Sequence, residues 1–202
     1  MQSNSTLTRR RFAAGFAMGS VALALPMPAV ALTAEQSQQL IDKVVADINS
    51  VINSGKELGG MIADFERIFA RYADVPTIAR SVLGVAARTA SPGELATFTK
   101  AFQSYISARY GRRFREFIGG TIIVTDARPI KSYFEVISQA KLVGQAPFDL
   151  RWHVSDKSGK SMFFNIIIEG INMLAAERTE IGALLDQNKG DIGALSAQLK
   201  TL

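Results

Sequence analysis

Asp149, His153 and Ser155 are the residues whose types come nearest to a nucleophilic relay. A hydroxyl, an imidazole and a carboxylate joined by hydrogen bonds would serve acyl transfer. Their spacing argues against that use. Phe148, Leu150, Trp152 and Val154 alternate with Asp149, Arg151, His153 and Ser155, the period of two of a strand with one apolar face and one wet face. Alternate residues on a strand stand about 6.6 Å apart and point in parallel, which is too far for a relay. The polar three are expected in an outward, solvated row. His153 is the single histidine and there is no cysteine, so a multi-histidine metal site, a thiolate site and a cysteine nucleophile are excluded. No nucleophile elbow, phosphate loop or dinucleotide-binding glycine pattern occurs. Glu169, just before Gly170, reads as an acid satisfying backbone groups at a strand end.

Two further groups invite a binding role. Arg109, Arg112, Arg113 and Arg115 gather on one helical stretch. They read as a solvated face whose stems cover apolar surface, with an anionic partner as the sharper alternative. Phe98, Phe102, Tyr105, Tyr110, Phe114 and Phe117 form an aromatic stripe on the same stretch, facing Trp152 and Phe164. Such a stripe builds ordinary core. Large rings and long aliphatics around a curved sheet also suit a cavity for a long apolar ligand.

The elements that must position these residues follow from periodicity and punctuation. Leu40, Ile41, Val44, Val45, Ile48, Val51 and Ile52 line a first helix from Thr33. Leu58, Met61, Ile62, Phe65, Ile68 and Phe69 mark a second. A third follows Asp74 as N-cap, with Pro76 in its first turn. Ser91-Pro92-Gly93-Glu94 is a capping box opening the long aromatic helix. Gly119-Gly120 ends the helices. Four strands are expected, over 121–125, 133–143, 148–155 and 161–169, with a hairpin loop at Asp156–Lys160. In the last strand Met162, Phe164, Ile166 and Ile168 are expected on one face, and Phe163 and Ile167 on the other with Asn165 and Glu169. A helix from Ile171 and a short one after Asp191 complete the chain. Helices, then an antiparallel sheet, then helices make an α+β domain.

The N-terminus reads as an export leader over residues 1–31. Thr8-Arg9-Arg10-Arg11-Phe12 is a twin-arginine pattern, Ala13–Leu25 an apolar run, and Ala29-Val30-Ala31 a cleavage site. An ordinary secretory signal is the alternative. Residues 32–202 then form one exported domain. The leader holds three arginines and no acid, so the net charge falls from +5 to +2 without it. A balance that small gives no reason to expect nucleic acid as a partner.

Two separated stretches carry a resemblance. Phe69-Ala70-Arg71-Tyr72-Ala73-Asp74-Val75-Pro76-Thr77-Ile78-Ala79-Arg80-Ser81-Val82-Leu83-Gly84, with Arg88-Thr89-Ala90-Ser91-Pro92, resembles the first signature of the toluene-tolerance family. These are the periplasmic phospholipid-binding proteins of the maintenance-of-lipid-asymmetry pathway. Trp152-His153-Val154, then Ile166-Ile167-Ile168-Glu169-Gly170-Ile171-Asn172-Met173, with Arg178 and Glu180, resembles the second. Ala86, Ala87 and Ala73 stand where the family has aromatic residues.

The resemblance implies a curved antiparallel sheet of four strands wrapped by helices, as in the nuclear-transport-factor and cystatin class. Acyl chains would lie between sheet and helices. The expected lipid-binding wall is Phe98, Phe102, Tyr105, Ile106, Val136, Leu150, Trp152, Phe164 and Ile166. It also implies a non-enzymatic monomeric shuttle in the periplasm, with phospholipid as cargo and no other cofactor. Its partners would be an inner-membrane ABC transporter complex and an outer-membrane lipoprotein complex. A hopanoid or other lipid carrier, or an enzyme of this fold, is the alternative. Arg112 and Arg113 are candidates for steering the docking.

Overall fold

The computed structural model describes residues 32–202, so the expected leader lies outside the described residues. Helix α1 (Ala34–Ile52) begins at a capping box in which the Thr33 side chain accepts from Gln36 N–H. Helix α2 (Leu58–Tyr72) follows. Helix α3 (Val75–Leu83) starts where the Asp74 carboxylate accepts from Thr77 N–H at 3.2 Å, with Pro76 in its first turn. Helix α4 (Pro92–Gly111) opens on the reciprocal Ser91–Glu94 capping box. Each cap satisfies backbone donors that a helix start leaves unpaired.

The aromatic stripe is not one continuous α-helix. At Gly111 the chain tightens into a 3-10 helix, Arg112–Phe117. At Gly111 α4 also comes close to α2, since a Cβ there would meet Ile62 Cγ1 at 2.9 Å. The side chain of Phe114 lies outside the described residues.

The sheet runs in the order β1 (Thr121–Ile130), β2 (Tyr133–Lys141), β3 (Phe148–Ser155), β4 (Met162–Ile168), β5 (Ile171–Asn172), antiparallel throughout. It thus has five strands where four were expected. The fifth exists because Glu169 and Gly170 both take positive φ, 49° and 81°. Positive φ at both central residues is the signature of a type I′ hairpin turn, whose twist matches the strands it joins. Ile168 pairs with Ile171, and only then does helix α5 (Met173–Gln187) begin, capped by the Asn172 side chain. Helix α6 (Ile192–Leu199) closes the chain.

A bulge between β3 and β4 changes which side chains face inward. Leu150, Trp152 and Val154 are paired with Ile168, Ile166 and Phe163 respectively, leaving Phe164 as the extra residue. Phe163 is therefore buried on the covered face, with its ring edge-on to Trp152 at 5.3 Å. The Phe164 ring turns toward Tyr133 and His153. The expectation that Phe164 shares a face with Ile166 by simple alternation is corrected by this one inserted residue, as bulges do.

Helix α1 covers β1, and the Asn49 amide exchanges two hydrogen bonds of 3.0 Å with the backbone of Ile122. A side chain thus occupies edge-strand groups that are otherwise open to pairing. The segment entering α3 is tied to the sheet from the other direction, with Asp74 N–H donating to Phe163 C=O at 2.8 Å. Buried residues of all six helices and of β1–β4 form one hydrophobic core. No helix among the described residues is long and apolar enough to cross a membrane.

Candidate functional site

An apolar cavity of about 340 Å³ lies between the covered face of the sheet and the helices. That size falls within the range of about 300–1,000 Å³ typical of small-molecule sites. The sheet contributes Leu150, Trp152, Phe163, Ile166 and Ile168. Helix α4 contributes Phe102, Ile106 and Tyr110, helix α2 Phe65, Ile68 and Phe69, and helix α1 Val44 and Ile48. Met173, Leu174 and Glu177 of α5 complete the wall. Its exposed lining residues, Arg113, Glu116, Gln145, Glu169 and Ile171, mark the mouth.

Of the wall expected from sequence, the structure brings Phe102, Ile106, Leu150, Trp152 and Ile166 to the cavity, and Phe164 also lines it although its ring turns toward Tyr133 and His153. Phe98, Tyr105 and Val136 are buried but stand behind the lining. Phe98 stacks on Phe102 at 5.7 Å, and Val136 is the β2 partner of Trp152. The Tyr105 hydroxyl faces the Arg109 guanidinium. The α2 side chains and Phe163 belong to the wall without being expected there. The first lie on an unremarkable amphipathic stripe, and the second is hidden by the bulge.

His153 is not in a solvated row. It is 8% exposed, and its ring packs on Tyr133 with centroids 4.6 Å apart. Nε2 stands 3.6 Å from Glu135 Oε2, and Nδ1 lies 3.3 Å from Asn165 Nδ2, which donates to it when the ring is neutral. Glu135 is also held by Arg128, whose Nε donates at 2.9 Å. Burial pushes the imidazole pKa below its ordinary value, against the opposing pull of Glu135. The Ser155 hydroxyl accepts from Lys157 N–H at 3.2 Å, and the partners of the His153 ring are Glu135 and Asn165 rather than Ser155. Glu169 likewise departs from its expected place. It is exposed at the β4–β5 turn, at the cavity mouth.

The polar end of the cavity is a cluster that joins α4 to α5. Glu177 is 5% exposed. Its Oε1 accepts from the Tyr110 hydroxyl and stands 3.5 Å from Arg109 Nε. Arg109 also reaches Glu180 Oε1 at 3.6 Å. Burial raises the Glu177 pKa above the usual carboxylate value, although the Tyr110 hydrogen bond and Arg109 pull the other way. Burial and the carboxylate beside it hold the Tyr110 hydroxyl well above its ordinary range. Three of the four arginines thus have distinct partners. Arg109 is tied to the cluster, Arg112 donates to Leu202, and Arg113 pairs with Glu116 at 3.2 Å. Among the described residues no group of acidic, histidine or cysteine side chains is placed to hold a metal.

A helix-wrapped antiparallel sheet enclosing an apolar cavity defines an α+β cavity-forming domain. The chain belongs to the MlaC protein family, whose model matches residues 38–201. The fold is similar to that of a solved phospholipid-binding protein from Ralstonia solanacearum, captured in complex with a phospholipid. The two share 17% sequence identity, with a TM-score of 0.69 over 82% of this chain and 95% of that one.

Proposed function

We propose that this protein binds phospholipid, with the acyl chains in the cavity between β3–β4 and helices α1, α2 and α4. The observation that carries this reading is the composition of the wall. Apart from the Glu177 cluster and the mouth, it is built largely of aromatic rings and aliphatic side chains. Each buried CH₂ of an acyl chain gains about 0.8 kcal/mol on leaving water, so even one chain gains a large driving force. Native mass spectrometry of the purified protein, followed by organic extraction, should find lipid at one molecule per chain. A lipid-free protein that takes up none from vesicles would refute the reading.

The carrier acts in the periplasm as a monomer, moving lipid between an inner-membrane ABC transporter complex and an outer-membrane lipoprotein complex. The twin-arginine pattern Thr8-Arg9-Arg10-Arg11-Phe12 supports that location. Replacing Arg9 and Arg10 together by Lys should leave the protein in the cytoplasm. Normal export of that variant would assign the secretory route instead. An enzyme of this fold is favoured by one observation, the buried acid Glu177 on the cavity wall. Its Oε1 is already engaged by Tyr110 and Arg109. A carrier needs only the hydrocarbon surface around it.

A further inference from the structure

Three of the six exposed large hydrophobic side chains among the described residues gather at one end of the sheet, the end at which the cavity opens. Ile118, Val143 and Ile171 are 53%, 72% and 60% exposed. Ile118 lies just before β1, Val143 just after β2, and Ile171 begins β5. Strand pairing puts these positions together. Thr121 pairs with Lys141, Ala140 with Phe148, Leu150 with Ile168, and Ile168 with Ile171. The first two turns also touch, since a Cβ on Gly119 would meet Val143 Cγ2 at 3.2 Å. Phe117 and Leu142, the neighbours of Ile118 and Val143 in the chain, line the cavity, as does Ile171 itself. The apolar lining therefore continues past the mouth into solvent. Exposed apolar side chains grouped in this way mark a docking surface.

The charges at this end decide what docks. Arg115 and Lys141 are exposed, and neither has an ion-pair partner among the described residues. Arg112 and Arg113 stand on the same stretch, engaged by the Leu202 carbonyl and by Glu116. The exposed acids Asp149 and Glu169 belong to the β3–β5 side. The side that carries Ile118 and Val143 is thus basic as well as apolar.

We propose that this rim docks on an anionic lipid surface, with Ile118 and Val143 entering the interfacial layer and Arg115 and Lys141 meeting the headgroups. Apolar burial at the headgroup boundary and attraction of cations to anionic lipid are the two terms that hold a protein at a bilayer surface. The inference rests on the lipid-binding reading and adds a route to it. With the mouth seated on the bilayer, an acyl chain passes between membrane and cavity without crossing open water.

Co-sedimentation of the full exported chain with vesicles tests the docking. Vesicles of equal parts phosphatidylcholine and phosphatidylglycerol should bind about tenfold or more tightly than phosphatidylcholine alone, since each basic residue near an anionic surface contributes about fivefold. Ile118→Ser combined with Val143→Ser should weaken binding to the mixed vesicles about tenfold or more. Arg115→Gln combined with Lys141→Gln should remove most of the advantage that the mixed vesicles hold. None of these four residues lines the cavity, so the lipid recovered by extraction should match wild type, with melting temperature confirming the fold.

Absence of vesicle binding, equal affinity for the two vesicle types, or binding untouched by either double substitution overturns the proposal. Self-association of the chain that Ile118→Ser and Val143→Ser abolish would assign the rim to a second copy and overturn it too. Lipid content is read separately. A protein that carries lipid but ignores vesicles loses only the docking, whereas one that carries none and takes up none loses the lipid-binding reading.

Discussion

The Trp152 indole N–H donates to Ser138 Oγ at 2.9 Å, a buried hydrogen bond between β3 and β2. Ser138 is wholly buried and Trp152 nearly so. The bond fixes the rotation of a large ring that forms part of the cavity wall. Ser138→Ala leaves the indole N–H without its partner, at a cost of about 1–3 kcal/mol. For a domain of this size the melting temperature should fall by about 2–4 °C per kcal/mol, as differential scanning calorimetry will measure.

Leu150 is 4% exposed and faces the cavity between Trp152 and Ile168. Overpacking a solid core costs about 1–3 kcal/mol. Leu150→Trp should cost less than that, because the new ring enters space that is already empty, and it should reduce the lipid recovered by extraction. A large loss of stability with lipid content unchanged would place Leu150 in ordinary core.

His153 gives a pH dependence of known sign. Its folded pKa is depressed below the ordinary 6.5 by burial. Above pH 6.5 both states are neutral and the residue contributes nothing to the slope. As pH falls below that value the unfolded chain takes up the proton first, so native stability drops until the folded pKa is passed. Denaturant titrations should show the difference between wild type and His153→Gln flat above about pH 6.5 and shrinking below it. Parallel curves across the acid range would contradict this assignment.

Gly84 caps α3 with φ 61° and ψ −122°, and a Cβ there would meet the Arg178 guanidinium at 3.0 Å. Gly84→Ala adds both strain and a clash, and should cost about 1–3 kcal/mol. Gly84→Ala combined with Arg178→Ala removes the clash but not the strain. It should recover only part of that loss in urea unfolding, whereas full recovery would show that the backbone is unstrained.

Much of the helical layer is legible in the amino-acid sequence. The Asp74 cap and the Ser91–Glu94 box depend only on neighbours three residues away, so local chemistry determines them. The sheet is legible in its pairing but not in its facing. Met162–Ile168 is apolar on both sides, with Asn165 the single polar break, so nothing in the pattern marks where an extra residue enters. The burial of His153 is hidden for a related reason. Its cover comes from Tyr133 and Phe164, one a strand away and the other on the bulge itself. Glu177 does carry a signal. It stands four and seven residues before Ile181 and Leu184 on a buried stripe, where an acid is out of place. Its partner Tyr110 lies 67 residues earlier, beyond the reach of any periodicity.

Trp152 is the only tryptophan in the chain, and it borders the cavity. Its indole N–H is held by a serine hydroxyl inside the sheet, so its other surroundings are the cavity and the ring of Phe163. The protein therefore carries a built-in optical reporter. Whatever fills or empties the cavity changes the polarity around one fluorophore, with no second emitter of its kind to dilute the response. Loading and release can be followed in real time on the unlabelled chain, on the timescale of the transfer itself.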